Sequence, residues 1–523
     1  MAASRILSIL TLLLLCSWSA TAQPAFEKKL YTGYNTVLSR NVKALDDSNY
    51  IFLNYIRDSL FSLQHAGLVE TDKNGNVIKI KPFTVLNQDY LFNMQGGRQF
   101  SAEFQPDYLV VGGVIVNGQY AVAIHRLDKQ TLDTVQSVLF GEDQFSYNLS
   151  SISKVSDNRY YLSGAKGNFT ISWPFVLVID SNLNIINTIQ VNAPTYFSRS
   201  ALFDQQSRKL IFSGTNYSTN ATVHRASLIA VDSLGAITNT YISSPSYSLN
   251  ADKIYHSPVD STYVITGTER SYWYQGDARY KLNISKFDKN FKLLWRKSYG
   301  EQGNTSIHDA TILNDGSIVV SGGYGVHPQN NTNGVILKVD RNGNPVWMRE
   351  YDNTSAFNHP EVLTGIDQAL DGGFIAVGYM YGQNPGRSWL LKTDSLGCVI
   401  PGCASTTITV DSLPDPPQPV DPTDPGDTTI TDLNHKAQLL FGRLEVFPNP
   451  VQTNLVIHFN SFMVPATGSF IRIISPNGGV YREFGAAHTN SWEFEISEAP
   501  AGLYLVQLVL SDGRMKSVRF LKE

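Results

Sequence analysis

The sequence predicts an all-β protein: a seven-bladed β-propeller followed by a small Ig-like β-sandwich. Three observations carry this. An Asp that closes a strand recurs at Asp72, Asp128, Asp180, Asp232, Asp288, Asp340 and Asp394, at intervals of 56, 52, 52, 56, 52 and 54 residues. Repetition at about 50 residues is a signature of propeller blades. Each copy divides into short apolar runs joined by Asp- and Asn-Gly turns. Beyond a Pro- and Asp-rich gap, residues 439–523 alternate apolar and polar side chains without that period.

The bulk composition narrows the function classes. With 523 residues, more than one domain is expected. Lys and Arg number 41 against 45 Asp and Glu, so there is no basic footprint for nucleic acid. The 26 Tyr, 26 Phe and 39 Gly, with only 16% charged residues, fit an extracellular β protein rich in turns.

Residues 1–22 read as a signal peptide. Arg5 supplies the positive end, Ile6 to Leu15 is nearly all apolar, and Ala20-Thr21-Ala22 is a small-x-small cleavage site, so the mature chain starts at Gln23. The run is shorter than the roughly 20 residues a spanning helix needs. Leu13, Leu14 and Leu15 ahead of Cys16 disfavour a lipoprotein signal. No later stretch is apolar enough to span a membrane, so an integral membrane protein is not expected.

Residues 23–403 hold the repeats. In the sixth copy the four strands are expected at Ile307–Leu313, Ile318–Ser321, Val335–Val339 and Val346–Tyr351. Asp315-Gly316 joins the first pair and Asn342-Gly343 the last, because Asn and Gly tolerate the positive φ of a tight right-twisted turn. The second strand is expected to end in Gly, at Gly112, Gly164, Gly214, Gly267, Gly322 and Gly378, with Asn54 in the first copy. Such a sheet has too little core alone, so neighbouring blades must cover its faces.

The seventh copy lacks its last strand, since Ser-Leu-Gly-Cys-Val-Ile-Pro-Gly-Cys follows Asp394. Phe26 to Tyr31 resembles Trp295 to Tyr299 of the fifth copy. Residues 26–31 are therefore expected to supply the outer strand of the seventh blade and remove an exposed edge. Cys398 and Cys403 lie five residues apart in a chain with a leader, so a disulfide is expected. No other Cys and no nearby His supports a metal site there, and a redox pair would be Cys-x-x-Cys.

Loop lengths carry the functional clue. The Asp turns are short, so one face is built of tight hairpins. The second-to-third-strand loops vary and emerge on the opposite face, where a rigid scaffold concentrates binding residues. The longest carries Tyr272, Trp273, Tyr274 and Arg279; its neighbours carry Tyr217, His224, Arg225, Tyr324, His327, Tyr379 and Tyr381. Aromatics with Arg could stack on sugar rings or anchor a protein partner. Taken singly, each is first read as packing loop against loop.

Other chemistry finds little support. Asp72-x-Asn74-Gly75-Asn76 and Asp340-x-Asn342-Gly343-Asn344 open like calcium loops, but the twelfth positions are Phe83 and Tyr351 where a Glu is needed. No His-Glu-x-x-His, Gly-x-Ser-x-Gly or phosphate-cradling Gly loop is present, and no cofactor is expected. His308-Asp309 and His359 fall on or before first strands near a channel mouth. A hydrolase or lyase site there competes with an ordinary polar lining.

Residues 404–438 read as a linker. Pro414 to Asp427 runs PDPPQPVDPTDPGD, a composition that favours extended, solvated chain. In residues 439–523, strands are expected at Leu455–Phe459, Ile471–Ile474, Trp492–Ile496, Leu503–Leu510 and Ser517–Leu521, with turns at Pro476 to Gly479 and Ser511 to Gly513.

This last domain carries an ordered set of motifs. They are Val446-Phe447-Pro448-Asn449-Pro450-Val451, Ile471 to Ser475 with Gly478-Gly479, Ala501-Gly502-Leu503-Tyr504-Leu505-Val506, and Gly513 to Lys522. Together they resemble the type A C-terminal sorting domain of the Bacteroidetes type IX secretion system. The resemblance implies export through the inner membrane by the leader, passage across the outer membrane, and removal of the domain by a surface sortase. Attachment to surface lipopolysaccharide or release would follow. The repeats look like secreted bacterial propeller repeats often fused to such domains, which implies fold only. The expected function is a secreted or surface-displayed binding or adhesion module for a glycan or protein. The rivals are a glycan-active enzyme and a structural surface-layer protein.

Overall fold

The computed structural model describes residues 25–412 and 443–523, except 31–34, 47, 58–63, 84–90, 93–97, 102–103, 117–118, 142–145, 168–171, 192, 194–195, 218–223, 245–247, 273–277, 304, 326–331, 352–360, 381–386, 407, 461–466, 487–488, 490 and 512–514. The expected leader, His359 and the Pro/Asp run fall outside the described residues. The chain divides into two compact units, residues 1–418 and 419–523.

In the first unit the described strands form seven antiparallel sheets. Sheet one is Asn35–Ala44, Tyr50–Arg57, Gln64–Thr71 and Val77–Phe83. In sheet two, Tyr108–Val116, Gln119–Leu127 and Thr134–Phe140 follow a first strand split into Leu91–Phe92 and Arg98–Ser101. Sheet three is Ser146–Ser156, Arg159–Gly167, Ser172–Ile179 and Ile185–Gln190; sheet four is Tyr196–Asp204, Lys209–Tyr217, His224–Val231 and Ile237–Ile242. Sheet five is Ser248–Ser257, Thr262–Tyr272, Ala278–Phe287 and Leu293–Gly303. Sheet six is Ser306–Ile312, Ile318–Tyr324, Asn333–Val339 and Pro345–Tyr351. Sheet seven takes Glu361–Gln368, Phe374–Met380 and Arg387–Thr393 from the end of the unit and Phe26–Leu30 from its start. Phe26 pairs with Lys392 and Leu30 with Ser388.

The repeating Asp builds the outer turns. Oδ1 of Asp340 accepts the N–H groups of Asn342 and Asn344, both at 2.8 Å, while Oδ2 accepts the Asn344 amide at 2.9 Å. Asp72 is engaged the same way. Their oxygens serve the turn, which accounts for the calcium-like spelling. The turn needs one residue at positive φ. Gly75, Gly235, Gly343 and Gly397 supply it in four copies, and Leu132, Leu183 and Phe291 in three. Those three side chains are 0%, 1% and 5% exposed, so core burial offsets the left-handed strain.

The joints between sheets also repeat. The Cβ that Gly343 lacks would lie 2.8 Å from Trp295 of sheet five; for Gly397 the neighbour is Trp347 of sheet six at 2.7 Å. Tyr299 donates to Gly343 O at 2.8 Å and Tyr351 to Gly397 O at 2.7 Å. Each aromatic-lined outer strand thus seats the turn of the next sheet. Sheets seven and one repeat this joint: Gly75 would meet Phe26 at 2.4 Å, and Lys28 donates to Asn76 Oδ1 at 2.7 Å. Leu30, Ile375, Val377 and Leu390 of sheet seven share a buried cluster with Val42, Tyr50, Phe52 and Val69 of sheet one.

Two expectations are corrected. The recurring Gly does not end the second strand; in sheet six that strand runs on to Tyr324. Its first-strand neighbour carries one extra residue at that level: Ser150, Arg199, Asp252, His308 and Thr364 in sheets three to seven, beside the pairs to Gly164, Gly214, Gly267, Gly322 and Gly378. The bulge turns a carbonyl onto the glycine. A Cβ would lie 2.0 Å from Asn250 O at Gly267, 1.8 Å from Ser306 O at Gly322 and 2.0 Å from Val362 O at Gly378.

The spacer also starts later than Ala404. Thr406 N–H donates to Met348 O at 3.0 Å, and Gly300 N–H to Thr409 O at 2.9 Å. Val410–Ser412 then pairs with Lys297 to Tyr299 as a fifth strand on sheet five, with Asp411 in an ion pair to Lys281. Ile408 and Val410 pack on the core there. The alternating Ile408-Thr409-Val410 suits an edge that would otherwise be unpaired. Just before this strap, Cys398 and Cys403 form a disulfide.

In the second unit, Arg443–Phe447, Asn454–Asn460 and Ser491–Glu495 form one sheet; Phe470–Ile474, Val480–Gly485, Gly502–Val509 and Met515–Lys522 form another. Both contribute to one core, with Leu455, Ile457 and Trp492 meeting Ile471, Val506 and Phe520.

Candidate functional site

The first strand of each sheet is one of its edges, so the N–H groups on its outer side need partners from elsewhere. Side chains of the preceding sheet satisfy several of them. Ser151 Oγ accepts Ala201 N–H at 3.1 Å and Ser153 Oγ accepts Phe203 N–H at 3.2 Å. Asp309 Oδ2 accepts Ile366 N–H at 3.3 Å, and Asp367 Oδ2 accepts Ala44 N–H at 3.1 Å. Polar side chains here stitch neighbouring edges as ladder bonds would. Between sheets seven and one, Ser39 also donates to Ser388 Oγ at 2.7 Å, and Thr364 to Ser39 O.

These strands line an open cavity of about 580 Å3, bounded by residues of sheets one, four, five, six and seven. The contributing residues lie in the later halves of the first strands, next to the tight hairpins and away from the variable loops. Its charged groups are paired. Lys253 Nζ lies 3.0 Å from Asp309 Oδ1, which also accepts the Tyr255 hydroxyl at 3.0 Å. Lys43 lies 3.5 Å from Asp367. One level away, Arg199 lies 3.8 Å from Asp252, a quarter of whose side chain (26%) is accessible.

Burial sets the ionisation here. It raises the Asp252 carboxyl, with Arg199 opposing. It also raises Asp367, which Lys43 and the N–H groups of Ala44 and Gln368 partly counter. Burial, then Arg40 and Lys253, push the His308 imidazole down to about 4 against the pull of Asp309, so it is neutral at pH 7. Desolvation and the Asp309 charge hold the Tyr255 hydroxyl well above its usual value, so it remains a donor. Among the described residues, no group of three or more His, Cys, Asp or Glu side chains is placed to hold a metal ion.

The residues singled out on the variable-loop face meet different fates. Tyr217, Tyr272 and Arg279 lie at loop-side strand ends, with side chains outside the described set; Trp273, Tyr274, His327 and Tyr381 lie outside it altogether. His224 is described: Nδ1 lies 2.8 Å from Asn250 Oδ1 and Nε2 3.0 Å from Arg270 Nη1. Arg270 as donor fixes Nδ1–H as the tautomer that meets Asn250. Burial first, then Arg270 and Arg199, lower this imidazole against the Asn250 bond. Arg225 donates to Ser243 O at 2.7 Å. Tyr379 is half-buried in its strand. Tyr324 is only 4% exposed and its hydroxyl accepts Glu301 N–H at 3.0 Å, so it is a packing residue. Sequence reasoning missed Lys43, Asp252, Lys253, Tyr255 and Asp367; the available signal was charge on successive first strands just ahead of the hairpins.

In the second unit the motif residues have structural duties. Phe447, Pro448, Asn449 and Pro450 are exposed and lead to Val451. Asn449 Oδ1 accepts Leu521 N–H at 2.9 Å, and Val451 N–H donates to Leu521 O at 2.8 Å. The Pro-Asn-Pro-Val segment is thereby laid along the last strand. Gly478 turns the hairpin at φ 84°. A Cβ on Gly502 would lie 2.5 Å from Pro476. Tyr504 stacks on Phe520 and donates to Pro500 O at 2.9 Å. Lys522 is buried beside the chain end, and Gly513 lies outside the described residues.

Residues 445–521 match the family model of the secretion system C-terminal sorting domain. The protein is secreted or displayed at the cell surface. This type IX domain assigns export to the secretion machinery, and no helix among the described residues is long and apolar enough to cross a membrane. None of the curated proteins matches the chain. Solved structures resemble it in fold. An acylaminoacyl peptidase of Pyrococcus horikoshii is 11% identical with a TM-score of 0.40, over 83% of this chain and 60% of that one. The chain thus spans less than two thirds of that peptidase. The β-propeller domain of the Trilobed protease from Pyrococcus furiosus is 8% identical (TM-score 0.38), over 70% of this chain and 97% of its own. An α-L-arabinofuranosidase from Fusarium graminearum is 10% identical (TM-score 0.39), over 71% and 97%. At such values the likeness says nothing about chemistry.

Proposed function

We propose that residues 23–403 close into a seven-bladed propeller, with Phe26–Leu30 as the outer strand of the seventh blade. The propeller is a ligand-binding module carried to the cell surface by an Ig-like sorting domain. Export rests on one observation, the sorting-domain match over residues 445–521. Closure is supported by the repetition of one joint: an outer-strand aromatic over a turn glycine joins sheets five and six, six and seven, and seven and one. Residues 1–22 act as the cleaved leader, and a surface sortase removes the C-terminal domain. The variable-loop face, with Tyr217, Arg225, Tyr272, Trp273, Tyr274, Arg279, His327, Tyr379 and Tyr381, is the proposed capture surface for a glycan or protein.

Binding is favoured over catalysis because two channel carboxylates have structural duties. Asp309 and Asp367 each accept a neighbouring sheet's N–H and pair with a Lys. The second reading, a glycan-active hydrolase or lyase, draws on Asp252, whose carboxyl burial raises as a general acid requires. A glycan array with the mature chain, run beside a hydrolysis assay on each captured glycan, separates the two. Capture without turnover is expected. Turnover lost in Asp252→Asn would replace binding by catalysis.

A further inference from the structure

We infer that the cavity on the hairpin side of the channel is a second binding site, for a neutral polyhydroxylated ligand such as a single sugar residue. The inference rests on the closed-ring reading, because sheets one and seven both bound the cavity. Its volume, about 580 Å3, lies within the range of roughly 300–1,000 Å3 typical of small-molecule sites. The strand ends Tyr217, Tyr272, Tyr324 and Met380, which lead into the variable loops, lie at the other end of their sheets, so this site is separate from the proposed capture surface.

The lining selects the ligand class. Lys253 and Asp309 are mutually neutralised at 3.0 Å, as are Lys43 and Asp367 at 3.5 Å. An anion at Lys253 would meet the charge of the adjoining Asp309 carboxylate, and a cation at Asp309 would meet that of the Lys253 ammonium. A hydroxyl need do neither, since it donates and accepts at once. Lys253 carries three N–H donors, one of them directed at Asp309. A vicinal diol can therefore bridge ammonium and carboxylate without breaking the pair. Leu202, Ile254 and Pro258 also border the cavity, Leu202 and Ile254 from the core between sheets four and five. The carboxylate is held in place by Tyr255 and by Ile366 N–H, so little ordering remains for the ligand to impose.

Isothermal titration of the mature chain with methyl β-D-glucopyranoside, methyl β-D-galactopyranoside and methyl α-D-mannopyranoside tests this, with sodium sulfate and tetramethylammonium chloride as charged probes. At least one glycoside should bind and neither charged probe should. Lys253→Met should weaken that binding roughly tenfold or more, the scale of a lost charged hydrogen bond. Tyr255→Phe, which keeps the ring and the Lys–Asp pair, should weaken it less and serves if the first variant does not fold. No glycoside binding, binding unchanged in a folded Lys253→Met or Tyr255→Phe protein, or preference for a charged probe would each overturn the assignment. Ring closure is read separately, from the melting of a chain lacking residues 23–31.

Discussion

Replacing Gly322 by Ala tests the bulge reading most sharply. The new Cβ would start 1.8 Å from Ser306 O, a backbone atom. A comfortable C···O contact needs about 3.3 Å, so strand or bulge must move by about 1.5 Å. Neither is free to move: Ser306 pairs with Gly323 on one side of the bulge and Asp309 with Ser321 on the other, and Asp309 also holds Ile366 N–H. Forcing volume into such a site costs about 3 kcal/mol. Two further substitutions calibrate the result. At Gly323 the nearest atoms are methyls of Thr332 and Val362, at 2.6 and 3.2 Å, which can shift more cheaply. At Gly485, in a strand of the second unit, nothing lies within 4 Å, so Ala should stabilise by about 0.5–1 kcal/mol. Chemical denaturation of the three variants should rank Gly322→Ala as most damaging, Gly323→Ala next and Gly485→Ala as neutral or better. If Gly322→Ala matched Gly485→Ala, the glycine would be an ordinary strand end and the carbonyl argument would fail.

Three further outcomes are expected. Asp340→Ala removes the oxygen that accepts two backbone N–H groups of a turn and should cost about 1–2 kcal/mol, while a calcium chelator leaves the melting temperature of the parent protein unchanged. Asp260 loses some affinity for charge through desolvation, but bonds from Lys286, Thr262 and Ser257 outweigh this and lower it to about 2. Its folded value lies below the unfolded one, so its stabilisation is complete above about pH 4 and is lost as pH falls to about 2. The stability gap between parent and Asp260→Asn should close across that window; a gap constant with pH would refute the linkage. Deleting Leu444 to Glu523 should strand the protein in the periplasm, seen by surface proteolysis and fractionation, and normal display would remove the sorting role.

What could be read from the chain depended on whether the cause was local. The Asp period was legible because each Asp builds its own turn within four residues, as Asp340 does with Asn342 and Asn344. The kinship of Phe26–Leu30 with the fifth outer strand was legible for the same reason. Phe26 and Trp295 cover a turn glycine, and Lys28 and Lys297 reach a turn Asn. The glycine after the second strand was misread because its cause lies across the sheet, in a carbonyl of the neighbouring strand. The strap at 410–412 was missed because three alternating residues are too few to register, and its partner lies over a hundred residues away. The charges on the first strands were hardest. Lys43, Lys253, Asp309 and Asp367 come from four different sheets and occupy unequal positions, so no motif links them before the sheets assemble.

The central claim is that Phe26–Leu30 completes the last sheet and locks it to the first. The most direct measurement is the thermal melt of a chain lacking residues 23–31, with the corresponding peptide added back. The five lost ladder positions contribute about 1 kcal/mol per hydrogen bond, and Leu30, 6% exposed, about 2 kcal/mol more. A large drop in melting temperature, partly restored by the peptide, is the predicted result. An unaltered melt, with the peptide without effect, would contradict it.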